Sequence, residues 1–258
     1  MFANTFSYAV AGSLFLAGAA SAADAPVIAV AANMTEPMRD IAAAFEGERN
    51  AKIRLSFGSS GNFVRQIQQG APFELFLAAD EESIRRLQAT GHVVDDGAIY
   101  AVGRLVLFAV NSSHAVVDAE LKGLGEALRQ GTVHRLAIAN PEHAPYGRAA
   151  EETLRLAGLW DIARPRLALG ENIGQTAQFV LTGAASAGFI AYSIARSSTF
   201  KGKGRFVVIP ETAHNPIRQR MALLTGAGNN ARALYRFMSG STSRRVLERY
   251  GYIVPGAQ

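Results

Sequence analysis

From residue 27 to the C-terminus the chain switches repeatedly between two hydrophobic periods. Short apolar runs alternate with stretches in which apolar residues recur every three or four positions. The first pattern builds buried strands and the second amphipathic helices. Residues 27–31 form the first apolar run. Met38, Ile41, Ala42 and Phe45 follow at helical spacing, with Thr35 as N-cap and Pro37 in the first turn. Ile53, Leu55 and Phe57 alternate as a strand, and a helix carrying Phe63, Val64 and Ile67 runs to Gly70. Residues 75–78 form a buried strand, and Asp80 caps a helix with Ile84 and Leu87 that stops at Gly91.

The same alternation continues through strands at 105–110, 136–139, 167–169, 188–191, 206–209 and 217–224. Helices lie at 146–157 and around Phe179 and Val180, and two more close the chain, the second beginning near Ser241. Strands separated by helices predict an α/β fold with mixed, mainly parallel sheets. With 258 residues, 49% hydrophobic and only 18% charged, the chain has material for one large domain or two lobes of roughly 100–120 residues. No Pro- or Ser-rich linker interrupts it, so two lobes must be joined by strands.

The first 22 residues read differently. They carry no charged side chain, are apolar or small from Tyr8 to Ala20, and end in Ala20-Ser21-Ala22. This is the pattern of a secretory signal peptide over residues 1–22, cleaved after Ala22 or nearby, although the usual basic n-region is missing. Gly12, Gly18 and the following Asp24 and Pro26 argue against a membrane span. Cysteine is absent, which excludes disulfides, thiolate metal sites, a cysteine nucleophile and a lipidated anchor. The expectation is a free periplasmic protein. Its net charge of +5 is spread thinly and does not point to nucleic acid.

Four strand-to-helix loops carry the candidate chemistry: Ala32-Asn33, Gly58-Ser59-Ser60-Gly61, Ala144-Pro145-Tyr146-Gly147 and Asn172-Ile173-Gly174. Helix starts present free N–H groups and positive dipole ends, at the strand ends where α/β sheets bind ligands. The loops hold hydroxyls and amides but no Asp, with Glu171 the one acid nearby. A donor-rich, acceptor-poor site suits a fully deprotonated oxyanion, whereas a protonated phosphate needs an acceptor carboxylate. Each loop by itself is ordinary: Gly-Ser-Ser-Gly serves as a turn, Asn33 as a cap, and Tyr146 and Ile173 as packing residues.

Taken in order, Val30-Ala31-Ala32-Asn33-Met34, Phe57-Gly58-Ser59-Ser60-Gly61, Gly70-Ala71-Pro72-Phe73-Glu74-Leu75-Phe76-Leu77-Ala78-Ala79-Asp80, Asn140-Pro141-Glu142-His143-Ala144-Pro145-Tyr146-Gly147 and Arg249-Tyr250-Gly251-Tyr252 form a recognisable series. The chain resembles the periplasmic molybdate-binding proteins of bacterial ABC transporters along its whole mature length. The resemblance implies a two-lobed type II periplasmic-binding-protein fold with the oxyanion in the interlobe cleft. Lobe 1 would comprise residues 24–104 and 212–258, and lobe 2 residues 105–211. The implied ligand positions are Asn33, Ser60, Tyr146 and Ile173, the last through its backbone N–H, with Ala32 adding another. The molybdenum enters as the oxyanion at those residues, with no separate cation site and no cofactor. Some relatives place the ligand tyrosine on the strand near Ala191 and a small residue at the position of Tyr146. Here Ala191 is small, so Tyr146 would supply the phenol, and Tyr192 would face the other way. The implied partners are molybdate or tungstate, a membrane permease and its ATPase subunit; the protein itself would be a monomer.

A serine hydrolase is the alternative from another class. Ser59 or Ser60 would need a base among His92, His114, His134, His143 and His214, but no Gly-x-Ser-x-Gly elbow is present. Metal-ligand spacings and phosphate-binding glycine motifs are absent too, so the chain does not read as an enzyme. A binder of another tetrahedral oxyanion such as sulfate is the nearer alternative. Arg39, Arg65 and Arg148 lie on helices beside three of the loops; the expectation is that they attract the dianion rather than touch it.

Overall fold

The structure is a computed structural model and describes residues 25–256; the signal-peptide reading lies outside the described residues. Two five-stranded sheets divide the chain. The first contains β1 (Val27–Ala31), β2 (Arg54–Gly58), β3 (Phe73–Leu77), β4 (Ala98–Gly103) and β10 (Ile217–Leu223), in the order β2-β1-β3-β10-β4. The second contains β5 (Leu105–Val110), β6 (Leu136–Ala139), β7 (Leu167–Gly170), β8 (Ala187–Ala191) and β9 (Gly204–Val208), in the order β7-β6-β8-β5-β9. Each sheet has one reversed strand, β10 in the first and β5 in the second. Those are the strands by which the chain enters each sheet from the other, after Gly103 and after Val208. The result is a two-lobed α/β fold with mixed sheets in which four strands run together.

Alternation along the strands explains the layers. Ile28 and Val30 of β1 face α1 (Thr35–Arg49), whose Met38, Ile41 and Phe45 are fully buried in the same cluster. Ala29 points the opposite way, toward α2 (Ser60–Gln68) and α3 (Glu82–Ala89), with Phe63, Val64, Ile84 and Leu87. Burying a side chain of this kind stabilises by roughly 1.5–3 kcal/mol, so α1 is held by packing rather than by propensity. In the second lobe Leu105 and Leu107 pack with α4 (Lys122–Gln130) and α5 (Pro145–Leu156), while Val106 and Phe108 face α7 (Ile173–Leu181). The short α6 (Trp160–Ala163) and α8 (Tyr192–Ala195) fill gaps in this lobe. Helices α9 (Asn229–Met238) and α10 (Ser241–Arg249) return to cover the first sheet.

Two local expectations change. Residues 32–34 form a 3₁₀ turn that runs into α1, so Thr35 lies inside the helix and its Oγ1 donates back to the Ala32 carbonyl at 2.8 Å. Tyr192 does not continue a strand but opens α8, where the Arg104 guanidinium stacks 4.4 Å from its ring.

Candidate functional site

The carboxyl ends of the parallel strands of both sheets face each other, and the four loops meet there. They enclose a cavity lined by Asn33, Ser59, Ser60, Tyr146, Asn172 and Ile173, among others. Of the five residues expected from sequence, Asn33, Ser60, Tyr146 and Ile173 line it. Ala32 does not; Ala31 takes its place. The space is small and the lobes touch on its rim, so a ligand is expected to enter when the lobes part.

Each loop is shaped by local chemistry. Ser60 opens α2 and is buried; its Oγ accepts from the Ala79 N–H at 2.9 Å, which leaves its own proton to donate elsewhere. Ser59 stands in the N-cap position, yet its hydroxyl caps nothing and has no partner. Pro145 occupies the first position of α5, where its missing N–H costs nothing, and Tyr146 follows with a first-turn N–H. Asn172 caps α7 through Oδ1, accepting from Gly174 N at 2.9 Å and Gln175 N at 3.1 Å. That cap passes over the N–H of Ile173, the first residue of the helix.

The two lobes touch directly around the cavity. The Gly61 N–H donates to the His143 carbonyl at 2.9 Å. A Cβ on Gly61 would lie 2.8 Å from the His143 Cβ, so this approach needs glycine. His143 is itself held by the Glu171 carbonyl, 3.0 Å from Nε2. The Ser193 hydroxyl donates to the Asn33 carbonyl at 2.8 Å. The cations stand apart from the cavity: Arg148 pairs with Asp80, Arg65 bonds Asn62, and Arg39 lies over the Phe57 ring.

Behind the cavity lies a buried polar cluster that sequence reasoning missed. Gln219, on β10 and fully buried, donates from Nε2 to the Tyr146 hydroxyl at 3.1 Å. Its Oε1 accepts from Asn33 Nδ2 at 2.9 Å and from the Tyr100 hydroxyl at 2.8 Å. Asn33 Nδ2 also donates to the Tyr252 hydroxyl at 2.7 Å. The Asn33 amide hydrogens expected to face a ligand are therefore both engaged, and its Oδ1 is without a partner. The Tyr146 phenol points to the crossing between lobes, where a Cβ on Gly103 would collide with it. Burial, followed by the neighbouring Tyr252 and Tyr100, pushes the Tyr146 phenol well above its usual pKa. Burial does the same to Tyr100 and Tyr252. All three stay neutral hydroxyls at ordinary pH. The signal for Gln219 was present: it is the one polar residue on the inward face of Ile217-x-Gln219-x-Met221.

The serine hydroxyls have no histidine partner, and no group of three or more His, Asp or Glu side chains is placed to hold a metal ion among the described residues. The family model for bacterial extracellular solute-binding proteins matches residues 26–253. The chain belongs to that family. This solute-binding protein is 41% identical over 244 residues to the molybdate-binding protein ModA of Azotobacter vinelandii, covering 93% of this chain and 94% of the relative. It is 37% identical over 236 residues to ModA of Rhodobacter capsulatus, covering 90% of each. Among solved structures, the periplasmic molybdate-binding protein of Azotobacter vinelandii superposes with a TM-score of 0.80 at 28% identity, covering 89% of this chain and 99% of that one. The solute-binding protein is not an enzyme.

Proposed function

We propose that this solute-binding protein captures molybdate, and tungstate with it, in the periplasm and delivers it to the permease and ATPase subunits of an ABC importer, acting as a monomer. The observation that carries the reading is the cavity: helix starts from both lobes converge on it, and no carboxylate lines it. The names and extent of the two curated relatives support the choice of oxyanion. In this reading Ser60 donates its hydroxyl, Ile173 and Tyr146 donate backbone N–H groups, and Asn33 completes the shell from the first lobe. Ala32 stays behind the wall and acts through the turn it opens. The division into residues 24–104 with 212–258, and 105–211, is supported by the membership of the two sheets.

Neutral donors suit a transport task. Hydrogen bonds to a charged group are each worth about 1.5–3 kcal/mol, yet they break together when two lobes separate. A dianion lacking protons satisfies every donor, whereas hydrogen phosphate brings a proton that meets no carboxylate. Calorimetric titration of the purified protein with molybdate, tungstate, sulfate and phosphate tests this. Tight binding of the first two and weak binding of phosphate is the expected result. Preference for sulfate would reassign the ligand, and no heat with any of the four would overturn the reading.

A further inference from the structure

The cluster behind the cavity has two orientations that use the same atoms. In the one described above, Asn33 Nδ2 is spent on Gln219 and Tyr252, and the buried Oδ1 has no partner. A buried, unpaired amide oxygen on a wall residue is costly and is the wrong polarity for an anion. The carboxamide ends are nearly isosteric, so both amides can reverse together without moving their neighbours. Gln219 then donates from Nε2 to Asn33 Oδ1 over the same 2.9 Å and to the Tyr100 hydroxyl over 2.8 Å. Tyr100 passes its own proton to the Ala78 carbonyl at 3.1 Å. The Tyr146 hydroxyl turns its proton to Gln219 Oε1 over 3.1 Å, and Tyr252 donates to Asn33 Oδ1 over 2.7 Å. Tyr252 gives up its donation to the Asn33 carbonyl and Ser193 Oγ, no side-chain oxygen of the two amides is left unpaired, and the two hydrogens of Asn33 Nδ2, on a residue that lines the cavity, are left without a protein partner.

We infer that Gln219 is a positioning residue for the oxyanion: it fixes which end of the Asn33 amide faces the cavity, and ligand binding selects the coupled orientation in which both amides are reversed. Neither amide reverses alone. Asn33 reversed against an unreversed Gln219 sets two carbonyl oxygens against each other at 2.9 Å. Gln219 contacts no ligand. It acts from β10 through Asn33, 186 residues away in sequence. The inference rests on the proposed oxyanion reading and adds a residue that the helix starts do not supply.

A double-substitution cycle with sodium molybdate tests it. Gln219→Glu replaces the donor end by a second acceptor, so Asn33 must keep Nδ2 turned inward. Affinity should fall about 10- to 100-fold, the value of one hydrogen bond to a charged group. Asn33→Ser removes the amide that Gln219 orients. In that background Gln219→Glu should cost no more than a few-fold, the residue of its added charge. Should the Glu variant fail to fold, Gln219→Met enters the same cycle, with a loss in the parent and none in the Asn33→Ser background. In parallel, ¹⁵N spectra of the unsubstituted protein should show the side-chain amide signals of Asn33 and Gln219 shifting together on adding molybdate. Equal losses in both backgrounds, or parent-like affinity of the Gln219 variants, would overturn the inference alone. No binding by the unsubstituted protein would overturn the oxyanion reading and the inference with it.

Discussion

Arg148, in the first turn of α5, pairs its guanidinium with the carboxylate of Asp80, which follows β3 in the opposite lobe. Sequence placed Arg148 beside a binding loop as a free attractor for anions. The structure gives it a counter-charge across the cleft, one that can be met only while the lobes are together. The pair is part exposed, 41% for the Arg148 side chain and 17% for Asp80, so it is worth about 0.2–1 kcal/mol. Arg148→Gln should raise the off-rate for molybdate less than about fivefold, with little change in on-rate. The difference should vanish in high salt. Stopped-flow kinetics at two ionic strengths measures this; a slower on-rate that recovers with salt would restore the attractor role.

Gly61→Ala puts a methyl against the backbone and Cβ of His143, at 2.8–2.9 Å from three of its atoms. Gly61 has no positive φ, so the first lobe folds as before. The strain appears only when the lobes close, and overpacking of this kind costs about 1–3 kcal/mol. Affinity should therefore fall by about tenfold or more while the melting temperature without ligand stays unchanged. Small-angle scattering should show less compaction on adding molybdate. Unchanged affinity would show that the Gly61–His143 contact is not part of the liganded state.

The strand and helix alternation was legible because it is local: Ile28 and Val30 against Ala29 report two covered faces in adjacent residues. The loops were legible for the same reason, each being a helix start after an apolar run. Helix α4 was not. Gly123 and Gly125 lower its propensity, and they are there because Val116 and Leu159 lie 2.5 and 2.9 Å from where their Cβ atoms would be. Strand β4 was passed over although Ala98-Ile99-Tyr100-Ala101-Val102 is as apolar as the 136–139 run. Periodicity marks Gln219 as a polar residue on an inward strand face, but it does not report the partners of that residue. Asn33, Tyr100, Tyr146, Gln219 and Tyr252 come from both lobes and the C-terminal segment, and only the closed tertiary structure brings them together. That is also why the expected Tyr146 phenol points to the crossing between lobes.

Ser60→Ala separates binding from stability. The hydroxyl proton is available to the cavity, while the oxygen accepts from the buried Ala79 N–H. Removing it should weaken molybdate binding about 10- to 100-fold. It should also leave the Ala79 N–H unpaired, at a cost of about 1–3 kcal/mol in unfolding free energy. Calorimetry and urea unfolding read the two effects. Loss of stability without loss of affinity would confine Ser60 to holding Ala79.

The three buried phenols predict an alkaline limit to stability. Burial is the largest cause for each, and the pKa values of Tyr100, Tyr146 and Tyr252 are all raised. A tyrosine in the unfolded chain ionises near pH 10. Above that pH the unfolded chain sheds protons that the folded one keeps, so unfolding is favoured as pH rises. Each phenol contributes a loss of up to about 1.4 kcal/mol per pH unit, continuing until its folded pKa is reached. Below about pH 9 these groups are protonated in both states and add no pH dependence. Tyr250 behaves similarly over a shorter span: burial, then its hydrogen bond to Asp40, pushes it up to about 12. Urea unfolding from pH 7 to pH 11.5 should therefore show a plateau followed by a steep decline. Tyr100→Phe should lower the plateau by about 1 kcal/mol, because the one hydroxyl proton within reach of Gln219 Oε1 and the Ala78 carbonyl is lost. The same substitution should flatten the decline by the share of one phenol. Comparing variant with parent cancels the lysines and arginines, which titrate in both. A decline of the same slope in both proteins would show that the Tyr100 hydroxyl ionises freely in the folded state, and that the cluster is open to water.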